Sequence, residues 1–232
     1  MLLLLPPSEG KTAPAKGDPV DLAALPHADV LGPLRARLIA AVDPGLADVP
    51  AAPAGSVYTG VLYGELGLAT LPARARRRAA ERVLIASGLW GLVGPGDRIP
   101  AYKLPIGESV DGVGGLAAAW RPLVAQALDT RDADDELIVD CRSGGYAAVW
   151  RPRRATRIEV RAFRVHPNGE RQVISHMAKA SRGAVARALL QTAKNPRTPR
   201  GIASIVTSAG IQAELGRPVR PGAPWTLDVL ER

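Results

Sequence analysis

The sequence predicts a mixed α/β (α+β) fold, a mixed sheet with flanking helices. Three observations carry that reading. Two short, largely apolar runs, Leu2 to Leu5 and Glu136 to Cys141, have the length and composition of buried strands, and each ends in a polar turn containing glycine. Stretches with apolar residues at helical spacing separate and follow them. Arg157 to Val165 alternates apolar and charged residues, turns at Pro167-Asn168-Gly169 and returns over Arg171 to His176, the pattern of a half-exposed hairpin.

The elements follow in order. After Leu2 to Leu5 comes Pro6 to Thr12, PPSEGKT, which places a lysine where a strand end meets solvent, a favourable position for an anion. The Walker pattern needs glycine where Leu5 stands, so an ATP-type loop is not expected. Ala13 to Asp29 reads as irregular. Val30 to Val42 is a helix with Asp29 as N-cap and Arg35 and Arg37 on its outer face. Asp43 to Gly55 carries Pro44, Pro50 and Pro53 and reads as a loop. Val57-Tyr58-Thr59-Gly60 begins a short ordered unit reaching Leu68. Arg74 to Ile85 is basic and amphipathic, with Arg74, Arg78 and Arg82 on one helix face, and Val83 to Ala86 also suits a strand leading into Ser87. Leu116 to Leu128 is a helix that Pro122 kinks or restarts. Ala178 to Thr192 and Thr198 to Ile205 are helices, and Trp225 to Leu230 is a last strand. No composition break marks a boundary, so residues 1–232 are expected to form a single domain.

Composition narrows the class. Hydrophobic residues make up 47% and charged residues 22%, enough for a sizeable core. The net charge of +8, with 30 Lys and Arg against 22 Asp and Glu, favours anionic partners such as nucleic acid or nucleotides. One cysteine, Cys141, excludes an intramolecular disulfide and a cysteine metal cluster, and His27, His166 and His176 show no ligand spacing, so neither metal nor cofactor is expected. The apolar start, Met1 to Leu5, is too short for a signal peptide or membrane span; a cytoplasmic location is expected.

The densest motif is Ser87 to Gly107, SGLWGLVGPGDRIPAYKLPIG. Clustered glycines mark turns or close approaches of another backbone or a ligand. A helix, a tight Gly-rich hairpin and a second ordered segment fit a helix-hairpin-helix-like element, whose turn N–H groups face a DNA phosphate. The same spacing also fits a surface loop joining a helix to a strand.

The chain resembles the YaaA family of bacterial peroxide-stress proteins. The resemblance rests on Ser8-Glu9-Gly10-Lys11-Thr12, Val57-Tyr58-Thr59-Gly60, Ser87-Gly88-Leu89-Trp90-Gly91 with Asp97, Tyr102-Lys103-Leu104, the Ser143/Tyr146 turn, and Ser175 with Ala178-Lys179 and Arg182-Gly183. It implies a single mixed α/β domain with a basic cleft, a helix-hairpin-helix-like element, DNA binding, and a role in limiting oxidative DNA damage and free iron. The chain departs from the family pattern at Pro105, where a glutamate is usual, and at Gly145 and Ala148, where an acidic residue and a lysine are usual.

Two function classes follow. A DNA-binding protein would place phosphates, largely independently of sequence, on Arg74, Arg78, Lys103, Arg142, Lys179 and Arg182, with Ser8, Lys11, Thr59, Gly88, Trp90, Gly91, Tyr102 and Tyr146 completing the surface. An enzyme acting on a nucleotide, nucleobase or other small anionic ligand would use Lys11 or Lys179 as a reactive or phosphate-holding amine. Tyr58 and Ser87 would then be its proton-handling or positioning hydroxyls.

Overall fold

The computed structural model describes residues 1–173 and 178–231. In chain order the elements are β1 (Leu2–Leu5), α1 (Ala28–Val42), β2 (Ala52–Pro53), α2 (Ala54–Val57), α3 (Val61–Leu66), α4 (Ala73–Arg82) and β3 (Val83–Ser87). Then follow β4 (Gly91–Val93), β5 (Arg98–Ile99), β6 (Ser109–Val110), β7 (Gly114–Gly115), α5 (Leu116–Ala127), β8 (Leu137–Asp140) and α6 (Gly144–Ala147). The chain ends with β9 (Thr156–Val165), β10 (Arg171–Val173), α7 (Ala178–Gln191), α8 (Pro199–Ser208), β11 (Ala213–Gly216) and β12 (Trp225–Glu231).

The main sheet is mixed, in the order β11-β12-β9-β8-β1-β3-β4, with β10 added to β9. Its centre is parallel: β1 pairs with β3 on one side and β8 on the other, with Leu3 opposite Val83 and Val139. All four residues of β1 and of β8 are buried, as befits parallel strands covered on both faces. β9 instead alternates buried Ile158, Val160 and Ala162 with partly exposed Arg157, Glu159 and Arg161. It pairs in parallel with β8 and β12, and antiparallel with β10. The mixed sheet and flanking helices are thus as the sequence predicts.

Three expectations are corrected. The Gly-rich stretch is a strand–turn–strand, β3 to β4, not a hairpin between two helices: α4 ends at Arg82, β3 runs directly into the turn at Gly88–Trp90, and no helix follows before Leu116. Its glycines serve packing. A Cβ on Gly88 would collide with the Leu104 carbonyl oxygen, and Gly91 turns at φ 69° with the Trp120 ring where a side chain would stand. The N-cap of α1 is His27, in the left-handed region at φ 55°, rather than Asp29. Arg35, expected on the outer face, is fully buried. Its Nε donates to the Trp90 carbonyl at 2.9 Å and its Nη2 to those of Leu92 and Pro26, each at 2.9 Å, which ties α1 to the β3–β4 hairpin. The return strand expected over Arg171 to His176 is described as far as Val173; residues 174–177, with Ser175 and His176, lie outside the described residues.

Candidate functional site

The carboxyl ends of β8, β1 and β3 lie side by side, so the turns that leave them share one crevice. The loop after β1 is pinned to the segment entering α3. Ser8 Oγ donates to the Thr59 carbonyl, Thr59 N to the Gly10 carbonyl at 3.0 Å, and Thr12 N to the Val57 carbonyl at 2.9 Å. Tyr63 Oη donates to the Pro6 carbonyl at 2.8 Å.

Beneath this loop three hydroxyls form a buried chain. Ser87 Oγ lies 2.6 Å from Tyr102 Oη, which lies 2.8 Å from Tyr58 Oη. Ser87 Oγ also accepts from Trp90 N at 2.9 Å and Leu89 N at 3.2 Å. A hydroxyl has two acceptor positions and one proton, so with both taken Ser87 donates to Tyr102, and Tyr102 in turn donates to Tyr58. Burial pushes the hydroxyl titrations of Tyr58 and Tyr102 upward, which keeps the chain protonated. Tyr102→Phe breaks both links while keeping the ring, whereas Tyr58→Phe breaks one. The expected destabilisation for Tyr102→Phe is about 1–3 kcal/mol and exceeds that of Tyr58→Phe, measured by denaturant unfolding. Equal effects would show that the chain is not directed through Tyr102.

Lys11 roofs the chain. Its ammonium sits 4.5 Å from the Tyr102 ring centroid and 5.6 Å from that of Tyr58, and donates to the Ser8 carbonyl at 2.6 Å. An ammonium has three donors, and this is the one hydrogen bond it makes among the described residues. Burial pulls the amine below the ordinary lysine value, and Glu9 opposes the shift.

The structure gathers only part of the sequence-predicted set here. Ser8, Lys11, Tyr58, Thr59, Ser87 and Tyr102 converge, and Lys179, in the first turn of α7, reaches Glu9 at 3.6 Å. Tyr146, in α6 just after β8, is half-buried, and burial pushes its hydroxyl titration upward. The others serve different ends. Arg142 is buried and pairs with Asp140, with Nε to Oδ1 and Nη2 to Oδ2 both at 2.8 Å, and Nη2 also donates to the Trp150 carbonyl at 2.7 Å. It is thereby removed as a phosphate ligand. Trp90 is fully buried, so it offers no face to a base. Turn N–H groups expected to face a phosphate are already engaged: those of Leu89 and Trp90 by Ser87, and that of Gly94 by Asp97. Arg78 donates to the Leu190 and Gln191 carbonyls at the end of α7, and Arg182 to the Val160 carbonyl. Arg74 is exposed on α4. Lys103 lines a separate groove of about 430 Å³ with Ala41, Val42 and Glu108.

Sequence reasoning missed Arg35, Tyr63 and Asp140. Arg35 had a signal: Leu31, Arg35 and Ile39 recur every four residues, which places the arginine on the apolar face. Cys141 is buried and its thiol is pushed up to about 12, which makes it inert. Among the described residues no three His, Cys, Asp or Glu side chains gather as a metal site, and no helix is long and apolar enough to cross a membrane.

Comparison with known proteins adds kinship. The family described as peroxide stress protein YaaA matches residues 34–209. A UPF0246 protein of Streptomyces coelicolor is 39% identical over 99% of this chain and 98% of its own length. One from Corynebacterium efficiens is 34% identical over 93% of this chain and 95% of its own. One from Flavobacterium johnsoniae is 31% identical over 61% of this chain and 58% of its own.

Proposed function

Because the chain belongs to the peroxide stress protein YaaA family, we propose that it serves that response in the cytoplasm by binding DNA, limiting oxidative damage to it. The crevice at the carboxyl ends of β1 and β3 receives one phosphate of the strand. The observation that carries this reading is Lys11, a half-buried cation over two tyrosine rings with donors left for an anion. Lys179 flanks it, held among the described residues by an exposed pair with Glu9 that an incoming phosphate displaces at little cost. Contacts of this kind read backbone rather than base, so binding is sequence-tolerant and salt-dependent.

Fluorescence anisotropy on labelled duplex, mismatched and single-stranded DNA across a salt series tests this. Lys11→Ala weakens binding to all three by about tenfold or more, the scale of one charged hydrogen bond, and reduces the salt slope by about 1. Unchanged affinity and slope would remove Lys11 from the interface.

A second reading is favoured by a different observation. An amine held below its ordinary titration, directly over an oriented chain of buried hydroxyls, is also the layout of a site that handles protons. Gel analysis of the same samples separates the two. Intact strands support binding alone; cleavage or base loss that disappears in Lys11→Ala makes the protein a DNA-processing enzyme.

A further inference from the structure

A second basic face stands apart from the crevice. Successive contacts along α7 show the separation. Lys179 in its first turn reaches Glu9; Gly183 packs on the backbone of Leu62; Arg187 donates to the Leu66 and Gly67 carbonyls; and the last carbonyls, Leu190 and Gln191, accept from Arg78 of α4. From Lys179 to Leu190 the helix advances about 16 Å. That is more than the ~8–10 Å over which exposed charges act through physiological salt, so charges at the far end of α7 are largely screened from the crevice.

The far end of α7 is strongly cationic. α4 carries Arg74, Arg76, Arg77, Arg78 and Arg82 against a single acid, Glu81. The connection from α7 to α8 adds exposed Lys194 and Arg197, and the first turn of α8 adds exposed Arg200. Residues 171–213 contain no aspartate or glutamate. Among the described residues none of these eight cations makes an ion pair. Arg78 anchors α4 to the last carbonyls of α7, the end from which the connection bearing Lys194 and Arg197 departs. Like charges crowded at i, i+3 and i, i+4 spacing destabilise a helix, and a bound polyanion relieves that repulsion.

We propose that this face binds the phosphate backbone of a second DNA duplex, so that one protein molecule bridges two duplex segments. The inference rests on the DNA reading of the crevice. Arginine forks suit phosphate, and a charged face without hydrogen-bonded base readers fits duplex of any sequence. An anionic membrane is the poorer match, because none of the exposed large apolar residues, Val42, Val49, Val61, Val173 and Val219, belongs to α4 or to the α7–α8 connection.

The test uses the full chain, a 12-base-pair fluorescent duplex, and a second duplex immobilised on beads. The wild type binds two short duplexes per molecule and retains the fluorescent duplex on the beads. Arg74→Ala/Arg77→Ala/Arg197→Ala, all at exposed positions, binds one duplex and loses retention by about tenfold or more. Lys194→Ala/Arg200→Ala lowers retention independently. Lys11→Ala also reduces retention but leaves the arginine face occupied. One duplex per wild-type molecule and no retention overturns the inference and leaves the crevice reading intact. Undiminished retention in the arginine variant also overturns it, assigning bridging to self-association. Tighter binding to vesicles of phosphatidylserine and phosphatidylcholine than to duplex, abolished in the arginine variant, reassigns the face to membranes. Absence of duplex binding at low salt overturns both readings.

Discussion

Replacing Arg142 by alanine lowers the unfolding free energy by about 3–5 kcal/mol, the cost of removing one partner from a buried ion pair. Asp140 and Arg142 are both almost fully buried, and Arg157 approaches the same carboxylate at 3.5 Å. Burial alone would push the Asp140 carboxyl upward, but its hydrogen bonds from Arg142 and the two guanidinium charges outweigh that and hold it below the ordinary value. The carboxyl is therefore depressed in the folded state. Its contribution to stability is present above the unfolded value of about 4 and is lost as pH falls through the lower folded value. Arg142→Ala reverses that sign. The carboxyl stays buried, loses its main partner and titrates higher, so the variant's deficit is largest near neutral pH and shrinks towards pH 5. Denaturant unfolding at pH 7 and pH 5 measures both effects. A deficit below about 1 kcal/mol at pH 7, with no pH trend, would mean that water reaches Asp140 when Arg142 is absent.

Arg35→Ala is the second large effect, expected at about 3–6 kcal/mol. The change empties a core position and leaves the buried Trp90 and Leu92 carbonyls without their side-chain donor. Arg35→Lys does not restore stability, because a single ammonium cannot reproduce a planar fork bonded to three carbonyls. The consequence reaches the crevice. Trp90 is held by Arg35 through its carbonyl and holds Ser87 through its N–H, so loosening the hairpin frees Ser87 from its fixed role as donor to Tyr102. Chemical unfolding of the two variants checks the energies. Near-wild-type stability in Arg35→Lys would contradict the fork argument.

These residues show which parts of the structure were legible in the sequence. β1 and β8 announce themselves because strands buried on both faces become short apolar runs. β9 does so because one face is wetter than the other. The Ser87–Gly107 stretch misleads for a physical reason. Glycine is required both where a ligand approaches and where another backbone does, and at Gly88 the neighbour is Leu104. The arginines mislead similarly, since a guanidinium satisfies carbonyl oxygens as readily as phosphates: Arg35, Arg78, Arg142 and Arg187 all do so here. Lys11 was legible as a lysine at a strand end. Its setting was not, because the residues around it, Tyr58, Ser87 and Tyr102, meet only in three dimensions.

The central claim is that the Lys11 ammonium receives a DNA phosphate. The most direct measurement is the titration of its ε-amine by NMR, with Lys11→Arg assigning the signal, in free protein and in complex with duplex. In the free protein the amine titrates below the ordinary lysine value, because burial outweighs Glu9. On binding, a phosphate beside it favours the charged form, so the titration moves upward, and affinity declines as pH rises through the free value. A titration that stays in place when duplex is saturating would contradict the claim and place the DNA elsewhere on the molecule.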